Sequence, residues 1–146
     1  MDLEAKIRKL LAETVIILHP DSFTIVSIER SEEDKARSIV AHLDTFSSVT
    51  FDVAEVSLVV KAEDWAALRD RFGEYREEGP YRLITFDIVL DLSIVGFMAV
   101  VSRRLADEGV SIYALSTYLR DHILVKEGDC GKAVETLRGL IAESRQ

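Results

Sequence analysis

The stretch Leu90–Glu127, LDLSIVGFMAVVSRRLADEGVSIYALSTYLRDHILVKE, decides how this chain is read. Apolar residues at Ile94, Phe97, Met98, Val101 and Leu105 recur at helical spacing, so a helix is expected from Ile94. After Gly109 the period drops to two, with Ile112, Ala114, Ser116 and Tyr118 on one side and Tyr113, Leu115 and Thr117 on the other. A glycine just past the last periodic helix residue adopts the left-handed conformation that closes a helix, which gives Gly109 the role of switch. Strands are then expected near Val110 to Tyr118 and His122 to Lys126. A strand, a serine-glycine turn, a helix and two more strands in one run are the makings of a binding module.

Composition narrows the class from there. The 146 residues are 48% apolar and 30% charged, enough for one ordinary core or two small domains, and disorder of the whole chain is excluded. The net charge of -8 divides as 9 basic against 14 acidic residues up to Gly73 and 9 against 12 beyond it, so neither half is basic. Nucleic-acid binding needs clustered Lys and Arg, whereas Arg103 and Arg104 stand beside Asp107 and Glu108; no nucleic-acid partner is expected. The single cysteine, Cys130, forms no internal disulfide, and no Cys or His pair has zinc spacing, so a reducing compartment is expected. Leu3, Ile7, Leu10 and Leu11 make a helical stripe interrupted by charge, unlike a secretory signal, and every hydrophobic run is broken well short of a bilayer span. A cytoplasmic protein with no membrane partner is the expectation, its first helix (residues 1–13) packed on its own core.

The chain also repeats itself. Thr14–Leu18 and Phe23–Ile28 read as strands separated by the turn-rich His19-Pro20-Asp21-Ser22. A helix follows with Ser31 and Asp34 resembling a capping box and with Ala36, Ile39, Val40 and Leu43 as its buried stripe. Val49–Val53 and Val56–Val60 read as strands, and Trp65, Leu68 and Phe72 share a helix face. Gly73 to Pro80 reads as a polar connection. The second half runs through the same order, with strands near Tyr81–Phe86 and Ile88–Leu92 and a final helix capped by Asp129 and buried through Val134, Leu137 and Ile141. Such a unit has a sheet with its helices on one face.

The segment DLSIVG, a helix ending LADEGVSIYALSTY, then DHILVK and a helix closing AVETLRGL resembles the ACT domain, the regulatory domain named for aspartate kinase, chorismate mutase and prephenate dehydrogenase. The likeness is closest to stand-alone tandem ACT proteins and rests on Asp91, Ser93 and Gly96; Ala106, Gly109, Val110 and Ile112; Ser116, Thr117 and Tyr118; and Ile123 to Lys126. The resemblance implies an α+β protein of two ferredoxin-like βαββαβ domains in tandem, antiparallel sheets with helices on one face. Their expected extents are 14–79, with a degenerate turn, and 80–146. It further implies a small ligand, usually an amino acid, held where the first turn of one domain meets a neighbouring domain. A helix N-terminus suits a carboxylate, and a glycine there admits close backbone approach.

Where the second half has Ser93-Ile94-Val95-Gly96, the first has Ser27-Ile28-Glu29-Arg30, which lacks the small residue. The ligand contacts are therefore assigned to Asp91, Ser93, Ile94, Val95 and Gly96, with Leu115, Ser116 and Thr117 on the adjacent strand and Asp121 as acceptor for an α-amino group. The alternative role for Ser93 is to cap its own helix. Leu119 and Arg120 stand where similar proteins have small or acidic residues, and Arg120 has two options there: to pair with Asp121 or to oppose an ammonium group.

No catalytic, metal or cofactor constellation is read. His19, His42 and His122 have no telling spacing, Glu32, Glu33 and Asp34 suit a helix's first turn, Cys130 reads as structural, and the glycines form no phosphate loop. The expectation is a non-enzymatic amino-acid sensor, paired as a homodimer. Two alternatives stand beside it: a structural or protein-interaction module without a ligand, and a small ferredoxin-like isomerase or hydrolase.

Overall fold

A computed structural model describes residues 2–146. In chain order the elements are α1 (Leu3–Glu13), β1 (Val15–Glu29), α2 (Glu33–Ile39), β2 (Ser48–Phe51), β3 (Glu55–Lys61), α3 (Ala62–Leu68), β4 (Tyr75–Asp87), α4 (Phe97–Asp107), β5 (Ile112–Ser116), β6 (Asp121–Lys126) and α5 (Cys130–Ser144). The class is α+β, and the β1–β3, β2–β3 and β5–β6 ladders are antiparallel.

The chain forms two compact units. One is contiguous, Asp21–Tyr81, and is called the inserted unit; the other, the split unit, joins residues up to Pro20 with Arg82–Gln146. Residues 14–20 thus group with the C-terminal segment, whereas consecutive domains at 14–79 and 80–146 would have placed them with the first. The reason lies in the strands. Two strands interrupted at His19-Pro20-Asp21-Ser22 were expected, yet β1 runs unbroken through them. Pro20 lies outside the β1–β3 ladder, which begins at Phe23, so its missing N–H removes no bond there. Likewise Gly73–Pro80, expected as a connection, is mostly strand, because β4 already starts at Tyr75. Gly79 suits the close approach of β1: a Cβ there would come 3.1 Å from the Phe23 carbonyl oxygen, so the backbone would have to give by a few tenths of an ångström.

Within the inserted unit the strand order is β2-β3-β1-β4. Its core gathers Val26 and Ile28 from β1, Val56, Leu58 and Val60 from β3, and the expected helical stripes Ala36/Ile39 and Trp65/Leu68/Phe72. Val40, expected in the core, is 45% exposed because α2 ends at Ile39. The expected Ser31–Asp34 capping box is absent: Ser31 lies in a 3-10 turn, Arg30–Glu32, and no side chain caps α2.

In the split unit the order is β1-β4-β6-β5. Phe97, Val101 and Leu105 of α4 and Ala133, Val134, Leu137 and Leu140 of α5 cover Ile84, Phe86, Ile123 and Val125. Each large side chain fully buried in this way contributes about 1.5–3 kcal/mol. Helix α1 joins the same core through Ile7 and Leu11, and Arg145 at the end of α5 donates to the Ala12 carbonyl at 2.9 Å. The expected switch at Gly109 is present: with φ at 73°, its N–H donates to Ala106 O and that of Val110 to Leu105 O, a Schellman closure. Asp129 stands at the start of α5 but makes no capping hydrogen bond.

Candidate functional site

The candidate site belongs to the split unit and begins where β4 ends. Residues 88–96 form a loop with no strand in it, so the strand expected at Ile88–Leu92 is absent. Its physical reason is Asp91, whose carboxylate accepts from the Ser93 N–H at 2.8 Å and the Ser93 hydroxyl at 2.6 Å, while the Ile94 N–H donates back to Asp91 O at 2.9 Å. An aspartate that folds the chain onto itself offers the backbone an alternative to extension. The Ser93 hydroxyl and N–H hold the Asp91 carboxyl below the usual carboxylate range, with the Lys6 ammonium adding to the effect. Ser93 is therefore neither helix cap nor cavity wall. Helix α4 starts at Phe97, not Ile94, and its N-cap is Gly96 in the left-handed region at φ 95°, with no side-chain cap. An L side chain at that φ is strained, although a Cβ would meet only Ile7 Cγ1, at 3.9 Å.

The other wall is the turn from β5 into β6. The Leu90 N–H donates to Leu119 O at 2.8 Å, which ties this turn to the loop. Inside the turn the Thr117 N–H and hydroxyl donate to Arg120 O at 2.9 and 3.2 Å, and the Arg120 N–H donates to Thr117 Oγ1 at 3.3 Å. The Ser116 hydroxyl donates to Asp121 Oδ1 at 2.6 Å. Arg120 takes neither option open to it in the sequence: its Nε donates to Asp87 at 3.0 Å.

Loop, helix start and turn enclose a cavity of about 320 Å³. Asp91, Ile94, Gly96, Ser116, Thr117 and Asp121 of the expected site residues line it; Ser93, Val95 and Leu115 do not. Val95 is 63% exposed, and Leu115 sits opposite His122 in the β5–β6 ladder. Leu90, Phe97 and Met98 supply apolar walls that sequence reasoning did not assign; helical periodicity marked Phe97 and Met98 as core, and nothing local distinguishes a core face from a cavity wall. The uncapped first turn of α4 opens onto this space. Its N–H groups and the partial positive charge of the helix end suit an anion, while the carboxylates of Asp91 and Asp121 lie on the same cavity. Behind the turn, His122 and Thr85 are buried, and burial in the first place, with the nearby His19, pushes the His122 imidazole below its ordinary value. Among the described residues no group of acids, histidines and cysteines could hold a metal ion, and no helix is long and apolar enough to cross a membrane.

The family model described as ACT domain matches residues 77–139, which contain every element of this cavity. No curated protein sequence matches the chain. Solved structures do. A Vibrio cholerae protein of unknown function, described as a possible transport protein, is similar over 97% of this chain and 99% of its own, at 19% identity and a TM-score of 0.73. The aspartate kinase of Clostridium acetobutylicum is similar over 88% of this chain and 34% of its own, at 19% identity and a TM-score of 0.70. The regulatory subunit of aspartate kinase from Thermus flavus follows at 14% identity and a TM-score of 0.63, over 86% of this chain and 95% of its own. At these identities the likeness is one of fold: the chain shares the architecture of aspartate kinase regulatory ACT domains.

Proposed function

We propose that this chain is a regulatory protein of two ACT-type domains whose split unit binds a small amino acid, without catalysis. The observation that carries the reading is one cavity in which the uncapped start of α4, opened by left-handed Gly96, shares space with the Asp91 and Asp121 carboxylates. An α-carboxylate would take the helix N–H groups, an α-ammonium would take Asp121, and a short side chain would rest on Ile94, Phe97 and Met98. The cavity is near the lower size limit of small-molecule sites, which favours small ligands. Ligand fixes the loop and the turn against each other, and a protein that reads that arrangement is regulated through linkage.

A homodimer belongs to the same proposal. Leu92, Val95, Tyr118 and Leu119 are 71%, 63%, 77% and 45% exposed and come from the loop and the turn that make the cavity. A second copy laid on them would bury apolar surface and close the ligand in. The same residues favour the second reading, a protein-interaction module with no ligand.

One screen separates the two. Each common L-amino acid at millimolar concentration is added to the full chain, and melting temperature and mass by light scattering are recorded. At about 100 times its dissociation constant a ligand adds about 2.7 kcal/mol, a rise of several degrees. A rise with one or a few small amino acids, in a dimer, is expected. A flat response across all of them in a dimer assigns the surface to protein docking instead.

A further inference from the structure

The split unit holds a second cavity, of about 560 Å³, between α1, α4 and α5. It shares Gly96 and Ala99 with the cavity described above and is otherwise made by different residues. Part of its lining is core: Ile7 and Leu11 of α1 and Leu140 of α5 are buried. Part is open, since Leu3 of α1 and Val100 of α4 are 53% and 38% exposed. Buried apolar residues behind and exposed ones in front make a recess and not a flat patch. An apolar recess of this volume with a few polar groups has the proportions of a small-molecule site.

The polar groups decide the class of ligand. Four charged side chains line the recess, Glu4, Arg8, Arg104 and Glu143. Arg104 and Glu143 neutralise each other between α4 and α5 through hydrogen bonds of 3.0 and 2.7 Å. The Ser144 hydroxyl donates to Leu140 O at 2.8 Å. Glu4 lies in the first turn of α1, where a negative charge complements the helix dipole. Arg8 is left: it stands in mid-helix, away from either end of the dipole, and makes no hydrogen bond or ion pair among the described residues. A guanidinium takes both oxygens of a carboxylate, and an aliphatic tail attached to that carboxylate would displace water from Leu3, Ile7 and Val100. We propose that this recess binds a monomeric aliphatic carboxylate, its tail between α1, α4 and α5 and its head on Arg8. Glu4, one turn away, opposes the head and holds the affinity below what Arg8 alone would give.

The test uses the full chain and three probes with one tail and three heads: octanoate, octan-1-ol and octylamine. Amide shifts are followed by NMR. Saturable shifts are expected at Ile7, Leu11 and Leu140, which line only this recess, and not at Ser116 and Thr117, which line only the other cavity. Octanoate is expected to bind about tenfold more tightly than octan-1-ol, the measure of one hydrogen bond to a charged group, and more tightly than octylamine. Arg8→Gln is expected to bring octanoate down to the level of the alcohol, and Glu4→Gln to tighten it. Val100→Glu sets an acid at the exposed side and is expected to abolish the octanoate shifts; Leu3→Glu serves the same end should Val100→Glu not fold. The proposal is overturned if octanoate gives no saturable shifts, if they fall on Ser116 and Thr117 instead, or if octanoate and octan-1-ol bind alike and Arg8→Gln changes neither. It is overturned as well by a dimer, seen by light scattering, that Val100→Glu dissociates, which would give the recess to a second copy. None of these outcomes depends on an amino acid being bound.

Discussion

Two passages from strand to helix can be set side by side. In the inserted unit β1 ends at Glu29, a 3-10 turn takes Arg30–Glu32, and α2 starts at Glu33 with no residue between. In the split unit β4 ends at Asp87 and α4 starts only at Phe97, with the Asp91–Ser93 turn and left-handed Gly96 in the interval. The short passage lines a wider cavity, of about 980 Å³, but a carboxylate of the protein already occupies donors beside it. The Glu32 carboxylate accepts the N–H groups of Gly73 and Glu74 at 3.0 and 3.2 Å and an Nζ–H of Lys35 at 2.9 Å, with only 14% of its side chain exposed. In that unit, backbone donors that an anion would seek already hold the protein's own carboxylate. Kinship of sequence order carries a cavity to both passages but not the same groups around it: Arg30, Gly73 and Glu74 line one, Asp91, Gly96 and Asp121 the other.

The largest way to break the contrast is Gly96→Val. A β-branched residue in the left-handed region costs about 1–3 kcal/mol, and because a Cβ there meets only Ile7 at ordinary contact distance, the fold is expected to survive. Thermal melts should show a lower midpoint and no ligand-induced rise; a preserved rise would move the ligand away from α4. Next comes Glu32→Gln. The Gly73 N–H, followed by Lys35 and the Glu74 N–H, lowers the Glu32 carboxyl from 4.5 to about 2. A depressed carboxyl contributes stability that is present above pH 4.5 and lost as pH falls toward 2. Urea midpoints of wild type should decline across that window while those of Glu32→Gln lose this part of the decline, the two converging near pH 2; parallel curves would deny Glu32 its role. The smallest effect is expected from Arg30→Ala. Its guanidinium donates to Val53 O and stands 3.7 Å from Glu33, half exposed, so stability should stay within about 0.5 kcal/mol and the ligand response should not change. A lost response would extend the site to the inserted unit.

The legible parts of this chain were those governed by local period. The Trp65/Leu68/Phe72 and Phe97/Val101/Leu105 stripes and the helix closure at Gly109 depend on neighbours a turn away. Pro20 and Pro80 misled, because proline reads as punctuation, whereas here its tolerance is set by which strand lies alongside. Ser93 is a different case: α4 starts only at Phe97, with Gly96 as its N-cap, so Ser93 stands too far ahead to cap it and its hydroxyl donates to Asp91 instead. Asp91, Gly96, Ser116 and Asp121, which line the cavity, stand out in the sequence because turn chemistry and family motif coincide on them. Thr85 and His122 stand 37 positions apart; only the placement of β4 beside β6 brings them together, and no spacing announces it.

The split unit has a last consequence, in the order of events during synthesis. The inserted unit, Asp21–Tyr81, is contiguous, so all of its residues have been made once Tyr81 has been added. The residues before Asp21 are made ahead of the inserted unit and completed after it: α1 and the start of β1 await β4, α4 and α5, up to Arg145, whose bond to Ala12 spans 133 positions. Loop closure over such a distance is slow compared with local helix formation. The apolar stripe of α1 therefore waits without its partner until α5 has been made, and the nascent chain carries ahead of the inserted unit the piece that closes the split one.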